Sequence, residues 1–224
     1  MQIELRKTVT ATDIPLEIKE LYHSSFPVEE QRPWADIEQR INSKDTEFSF
    51  YVLQHKTKNI GFITLWRLPQ ALYCEHLAIF PESRGGGYGE AVVRRVIEMA
   101  QSEKDGAVLP LVLEVELPEE SEFARRRVGF YQRCGMQALT DFKYVQPGYT
   151  PELPPVDLML MVSEPVDNPA EIAKTLHTVV YNRPDFNIEL TRYSKPLSLE
   201  LWRYSRLLPV AANPQIRAMP TVRW

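Results

Sequence analysis

The order of elements in this chain predicts an α/β (α+β) domain, and three features carry that prediction. Residues 48–79 hold three apolar, β-rich runs in close succession, as a strand meander requires. The last run leads through a glycine-rich turn, Arg84-Gly85-Gly86-Gly87-Tyr88-Gly89, straight into a helical pattern. There Ala91, Val92, Val93, Val96, Ile97 and Ala100 form one broad apolar stripe. A further strand-then-helix unit follows: Val108–Leu117 is β-branched and apolar, and Phe123–Met136 has helical spacing.

From the N-terminus, Gln2–Val9 alternates as a first strand. Thr12 can cap a helix over Asp13–His23, with Pro15 in its first turn, where a missing N–H is tolerated. Phe26-Pro27 and Arg32-Pro33 break the chain before a second helix near Trp34–Ile41. Phe48–Gln54 and Ile60–Leu68 form a hairpin around Lys56-Thr57-Lys58-Asn59, and Gln70–Ile79 completes the meander. After the glycine turn and its helix come the 108–117 strand and a helix that Gly135 ends as a left-handed residue. Ala138–Gln146 and Val156–Val162 close the sheet across Pro147-Gly148 to Pro154-Pro155.

Beyond Val162, Asp167–Tyr181 has a helix signature. Asp167 or Asn168 caps it, Pro169 takes the first position, and Ile172, Leu176, Val179 and Val180 follow at helical spacing. The domain is therefore expected over residues 1–164, with a C-terminal extension over 165–224. The last part, Arg183–Trp224, is rich in Pro, Arg and aromatic residues and lacks the composition of a disordered tail. It is expected as a helical or irregular appendage, a lid, or an arm through which two copies form a homodimer.

Composition narrows the function classes. The chain has 224 residues, 44% of them hydrophobic and 25% charged, which suits an ordinary soluble globular protein. Met1–Lys7 alternates and lacks the apolar core of a signal peptide, and no run approaches the ~18–20 apolar residues of a membrane span. Cys74 and Cys134 sit in neither a C-x-x-C nor a metal spacing, so a reducing cytoplasm is expected and no metal is. The formal net charge is −4, and Arg125-Arg126-Arg127 is flanked by Glu119, Glu120 and Glu122. That run reads as a solvated, paired face, so no nucleic-acid partner is expected.

The glycine turn carries the chemistry. Glycines let backbone N–H groups converge, and the first turn of the helix adds unpaired donors and the positive dipole end, a place to hold phosphate. A P-loop needs Lys and Ser or Thr after its last glycine, but Glu90-Ala91 follow Gly89. A dinucleotide fingerprint needs G-x-G-x-x-G, and glycines at 85, 86, 87 and 89 do not give it. Arg84-x-x-Gly87-x-Gly89 does fit R/Q-x-x-G-x-G/A, and it resembles the pyrophosphate loop of the GNAT N-acetyltransferase superfamily. Two further stretches are similar to that family: Glu75-His76-Leu77-Ala78-Ile79 before the loop, and R-x-G-F-Y-x-x-x-G across Arg127–Gly135. The resemblance covers about Met1 to Val162 and implies a mixed, mostly antiparallel twisted sheet flanked by helices.

It also implies a reaction: transfer of an acetyl group from acetyl-CoA to a primary amine of a small molecule or peptide, by direct attack in a ternary complex. The pantetheine arm would lie along Leu77, Ala78 and Ile79. The diphosphate would sit over Gly85, Gly86, Gly87 and Gly89, with Arg84 as a cation and Tyr88 as packing, and Glu90 would complete the cofactor-binding set. Tyr131 occupies the family position of a proton donor to the leaving thiolate; its alternative is a core aromatic beside Phe130. An amine that attacks must lose a proton. Glu75, two residues before Leu77 and so on its face by strand alternation, is the first candidate base, with Glu116 the second. His76 is expected on the opposite face, in the core, and Cys134 has no paired His.

The acceptor side is expected between His23–Trp34 and Gln146–Pro155. Phe26, Trp34 and Tyr149 offer walls there, and Glu29, Glu30, Glu114 and Glu152 possible amine contacts; the same residues could equally be loop packing. A protein of this fold that binds acyl-CoA as a sensor or interaction module, without transferring the acyl group, is the rival expectation.

Overall fold

The structure is a computed structural model and describes residues 2–45, 47–102, 108–186 and the backbone of 192–193. The elements run β1 (Glu4–Lys7), α1 (Leu16–Ser25), α2 (Trp34–Asn42), β2 (Phe48–His55), β3 (Lys58–Leu68), β4 (Ala71–Ile79), α3 (Tyr88–Gln101), β5 (Leu111–Glu116), α4 (Glu122–Arg133), β6 (Gln137–Ala138), β7 (Phe142–Gln146), β8 (Val156–Val162), α5 (Pro169–Thr175) and β9 (Arg192–Tyr193). The described strands form one mixed sheet in the order β1-β2-β3-β4-β5-β8-β7-β9, with β6 beside β8. All its pairings are antiparallel except β4 with β5.

Helices cover both faces. On one, Ile18, Leu21 and Tyr22 of α1 and Ile37 and Ile41 of α2 pack against Phe50, Phe62, Trp66 and Tyr73. On the other, Val92, Val93, Val96 and Ala100 of α3 and Val128 of α4 pack against Leu65, Leu72, Leu113 and Met161. The helix after β8 joins the first core through Ile172, Ala173, Leu176, Val180 and Tyr181. Asn168 caps it, accepting from the Glu171 amide at 3.3 Å, and its last turn widens into a π turn over Leu176–Val180. Most of 183–224, expected as a lid or dimer arm, lies outside the described residues.

Three local expectations are corrected. Helix α1 begins at Leu16, not Asp13, because Pro15 forces Ile14 into an extended conformation (φ −80°, ψ 119°) and is itself extended. Residues 11–13 form a separate 3₁₀ turn, closed by the Thr10 amide on Asp13 Oδ2 at 2.9 Å. The expected 138–146 strand is two pieces, β6 and β7, with the chain turning at Leu139–Asp141.

The third correction bears on chemistry. In the β3–β4 ladder Thr64 pairs with His76 and Leu65 with Cys74, so Glu75 is an extra, bulged residue. A bulge breaks strand alternation. Glu75 and His76 therefore both turn toward the α1–α2 face, and Leu77 turns toward α3 and α4. The expected sharing of a face by Glu75 and Leu77, with His76 opposite, is wrong for that reason.

Among the described residues no helix is long and apolar enough to cross a membrane.

Candidate functional site

The sheet opens at its centre. Strands β4 and β5 pair only at Leu72–Cys74 with Leu111–Leu113, although β4 runs on to Ile79 and β5 to Glu116. Beyond Cys74 and Leu113 they share no ladder, and two cavities lie in and beside the gap.

The first cavity, about 260 Å³, sits where the glycine turn meets α3. Leu77, Ile79, Arg84, Gly85, Gly87, Tyr88, Gly89 and Glu90 line it, with Phe130, Tyr131 and Arg133 from α4. Gly85 and Gly87 have φ of 76° and 78°, a left-handed backbone that a side chain with Cβ adopts only with strain. Gly87 is the residue before α3, so the first-turn N–H groups of that helix end in the cavity with no capping side chain. Gly89 is confined differently: a Cβ there would lie 3.3 Å from the ζ carbon of Phe130. Arg84 folds back, its Nε donating to the Ile79 carbonyl at 2.9 Å, and Glu90 is paired with Arg94 at 2.9 Å. Ala78 faces the other core, and Gly86 does not line the cavity.

The second cavity, about 110 Å³, is lined by Phe26, Pro27, Glu30, Glu75, His76, Leu77, Glu114, Glu116, Arg127, Tyr131, Gln146 and Tyr149, among others. Leu77 and Tyr131 line both cavities. Tyr131 packs edge-on against Phe130 at 5.0 Å, and burial pushes its phenol up, so it is protonated at neutral pH.

Glu75 is held on every side. Its Oε1 accepts from Arg32 Nε at 2.9 Å, Arg32 Nη2 at 2.7 Å and the Tyr149 hydroxyl at 3.0 Å; its Oε2 accepts from Trp66 Nε1 at 2.9 Å. The two side chains of the ion pair are 4% and 1% exposed. Burial alone would raise the Glu75 carboxyl, but the Arg32 guanidinium, with His76 beside it, holds it well below the usual carboxylate range. Arg32 also lies 5.1 Å over the Trp66 ring and 4.9 Å over Tyr149, and donates to the Val180 carbonyl at 2.7 Å. A carboxylate so strongly stabilised as the anion has little affinity for a proton. Glu75, expected as the first candidate base, is thus a buried carboxylate ion-paired to Arg32.

Glu114 has the opposite environment. Among the described residues no cation pairs with it; three phenols do. Oε2 accepts from Tyr181 at 2.6 Å and Tyr73 at 2.9 Å, and Oε1 accepts from Tyr144. Burial pushes its carboxyl up to about 7, against the three tyrosine bonds that favour the anion. Glu116, the other expected base, is ion-paired to Arg127 of α4. Glu30 also lines the cavity, its carboxyl raised by burial and by the nearby Glu116.

The structure thus gathers Phe26, Glu114 and Tyr149 with Glu30. It leaves Glu29 exposed outside the cavity, and it places Trp34 in the aromatic packing of α1 and α2, where Trp34 Nε1 donates to Glu38 at 2.6 Å. The exposed Glu152 does not line it either. Sequence reasoning missed Arg32, Tyr73, Tyr144, Gln146 and Tyr181. For Tyr73 a signal existed, since it alternates onto the face of Glu75; the others come from distant elements. Cys74 and Cys134 are buried and their thiols are pushed up, the latter to about 12, so neither is a ready nucleophile. Among the described residues no group of three or more His, Cys, Asp or Glu is placed to hold a metal ion.

The chain is similar to known proteins in sequence and in fold. The model of the acetyltransferase (GNAT) family matches residues 16–136. A protein from Bacteroides thetaiotaomicron, described as an acetyltransferase from the GNAT family, is 32% identical, with a TM-score of 0.68 over 81% of this chain and 98% of its own. A GNAT family acetyltransferase from Elizabethkingia anophelis with acetyl-CoA bound is 19% identical, with a TM-score of 0.50 over 73% of this chain and 98% of its own. A chimeric spermidine N-acetyltransferase from Vibrio cholerae is 14% identical, with a TM-score of 0.51 over 72% of this chain and 95% of its own. At that identity the last two bear on the fold alone. No curated protein matches the sequence.

Proposed function

The chain belongs to the GNAT acetyltransferase family, and from that premise we propose that it moves an acetyl group from acetyl-CoA to a primary amine of a small molecule or peptide, by direct attack in a ternary complex. The observation that carries this is the meeting of two unlike cavities at Leu77 and Tyr131. One ends on the open N–H groups of a helix start; the other is acidic.

The backbone of Gly85–Gly89 and the start of α3 hold the diphosphate. The edge of β4 over Leu77–Ile79, freed where β5 departs, pairs with the amides of the pantetheine arm as an added strand would. The thioester then lies between Leu77 and Tyr131. The amine enters from the second cavity, where the Glu30, Glu114 and Glu116 carboxyls favour a cation. As the C–N bond forms and the C–S bond breaks, Tyr131 gives its proton to the departing thiolate.

Incubation with acetyl-CoA and a panel of primary amines, read by mass, tests this. At least one amine is expected to gain an acetyl group in step with release of free thiol. Binding of acetyl-CoA with no acetylated amine across a broad panel would instead support a sensor. Gly87→Val is expected to leave the protein folded and to weaken acetyl-CoA binding by about tenfold or more, since it strains the left-handed turn and crowds the phosphates. Titration calorimetry of the folded variant checks this; unchanged affinity would exclude the glycine turn as the diphosphate site.

A further inference from the structure

Beyond the acetyl transfer just proposed, and resting on it, we infer that Glu114 is the group that takes the proton from the incoming amine. We further infer that Tyr181, carried by the segment after β8, acts with Tyr73 and Tyr144 to set the pH at which it does so. Glu114 meets three requirements together. It lines the acidic cavity that shares Tyr131 with the cofactor cavity. Among the described residues no cation is bonded to it, in contrast to Glu75 on Arg32 and Glu116 on Arg127. Its oxygens are aimed by hydroxyls from three separate segments, β4, β7 and the residue that follows the π turn.

The surrounding groups leave it able to change protonation state. From β4 come Tyr73 and the anionic Glu75, whose charge is met by Arg32; Tyr149 stands on Glu75; Glu116 of the same strand is met by Arg127. Tyr73, Tyr144 and Tyr181 all have phenols raised by burial and by Glu114, so at neutral pH they remain donors. Tyr73 and Tyr181 also touch each other, 3.2 Å between hydroxyls, so the cage is continuous. Tyr181 directly follows the π turn at Leu176–Val180, where the Val180 carbonyl also accepts from Arg32.

The protons balance. The acceptor arrives as R–NH₃⁺ and gives one proton to the Glu114 carboxylate, leaving R–NH₂. Nitrogen attacks the thioester carbon, the C–N bond forms, and the C–S pair leaves as thiolate. The thiolate takes the Tyr131 proton, and the second proton lost by nitrogen restores Tyr131. Glu114 then passes its proton to water. The net products are the amide, free CoA thiol and one proton.

The test is the pH profile of kcat for Glu114→Gln and Tyr181→Phe beside the wild-type enzyme, with a ¹³C carboxyl titration of glutamate-labelled protein. The wild-type profile is expected to rise through an acidic limb near neutrality. Glu114→Gln should lower kcat by about 10²–10⁴-fold and abolish that limb. Tyr181→Phe removes a donor that favours the anion, so the limb and the carboxyl titration should both move up by about one to two pH units. A merely structural role would lower kcat at every pH without moving the limb. Should Glu114→Gln fail to fold, Tyr181→Phe and Tyr73→Phe carry the test through the same shift. A Glu114→Gln enzyme that keeps its limb, or a Tyr181→Phe limb that stays in place, would overturn the inference. If the wild-type protein acetylates no amine, the proposed function itself fails; if it acetylates and Glu114→Gln does too with the limb intact, only the assignment of the base fails.

Discussion

Arg32→Met is expected to cost about 3–5 kcal/mol of folding stability, the penalty for leaving a buried charge without its partner. Glu75 would keep its bonds from Trp66 and Tyr149 but lose the guanidinium that outweighs its burial, and the Val180 carbonyl would lose its donor. Against a total of about 5–15 kcal/mol for an ordinary domain, this is a large fraction. The pH dependence follows from the sign of each shift. In the wild-type protein Glu75 is depressed, so its contribution is present above the unfolded carboxylate pKa of about 4.3 and lost as pH falls through the folded value. Without Arg32, burial dominates and the folded pKa is raised. The contribution is then present below about 4.3 and lost as pH rises. The gap between the two proteins should therefore be widest at neutral pH and narrow toward pH about 4. Replacing both partners, Arg32→Met with Glu75→Met, should recover much of the loss. Urea unfolding at several pH values checks all three; a single variant within about 1 kcal/mol of the wild-type protein at pH 7 would mean the pair contributes no more than a surface bridge.

Tyr131→Phe is expected to lower turnover by about 10²–10⁴-fold, the range of positioned acid–base groups. Acetyl-CoA affinity and stability should change little, because the ring and its edge contact with Phe130 remain. Steady-state rates, with calorimetry for binding, separate the two effects. Near-normal turnover would show that the thiolate takes its proton from water and that Tyr131 is packing.

The parts of this protein that follow local rules were legible in its sequence. The β2–β3 hairpin and β4 show in their apolar runs, and α3 in the stripe of Val92, Val93, Val96 and Ala100. The glycine turn was visible because its φ values are ones that glycine alone adopts freely. The surroundings of the cavity carboxylates were hidden for specific reasons. A one-residue bulge at Glu75 took Leu77 off the face that Tyr73 and Glu75 share and brought His76 onto it, and no alternation rule marks a bulge in advance. Arg32 lies in a proline-broken connection that reads as a helix boundary, and its partner is 43 residues away. Glu114 gains its character from Tyr73, Tyr144 and Tyr181, and the last of these is 67 residues distant along the chain. Strand periodicity showed that Glu114 and Glu116 share a face. It could not show that one meets an arginine and the other three phenols.

A crystal structure with acetyl-CoA bound measures most directly whether the two cavities act as one site. The diphosphate oxygens are expected within hydrogen-bond reach of the backbone N–H groups between Gly85 and the first turn of α3. The thioester carbonyl is expected between Leu77 and Tyr131, open toward the cavity that holds Glu114. A diphosphate bound away from the glycine turn, or a thioester that does not reach Tyr131, would contradict transfer at this junction.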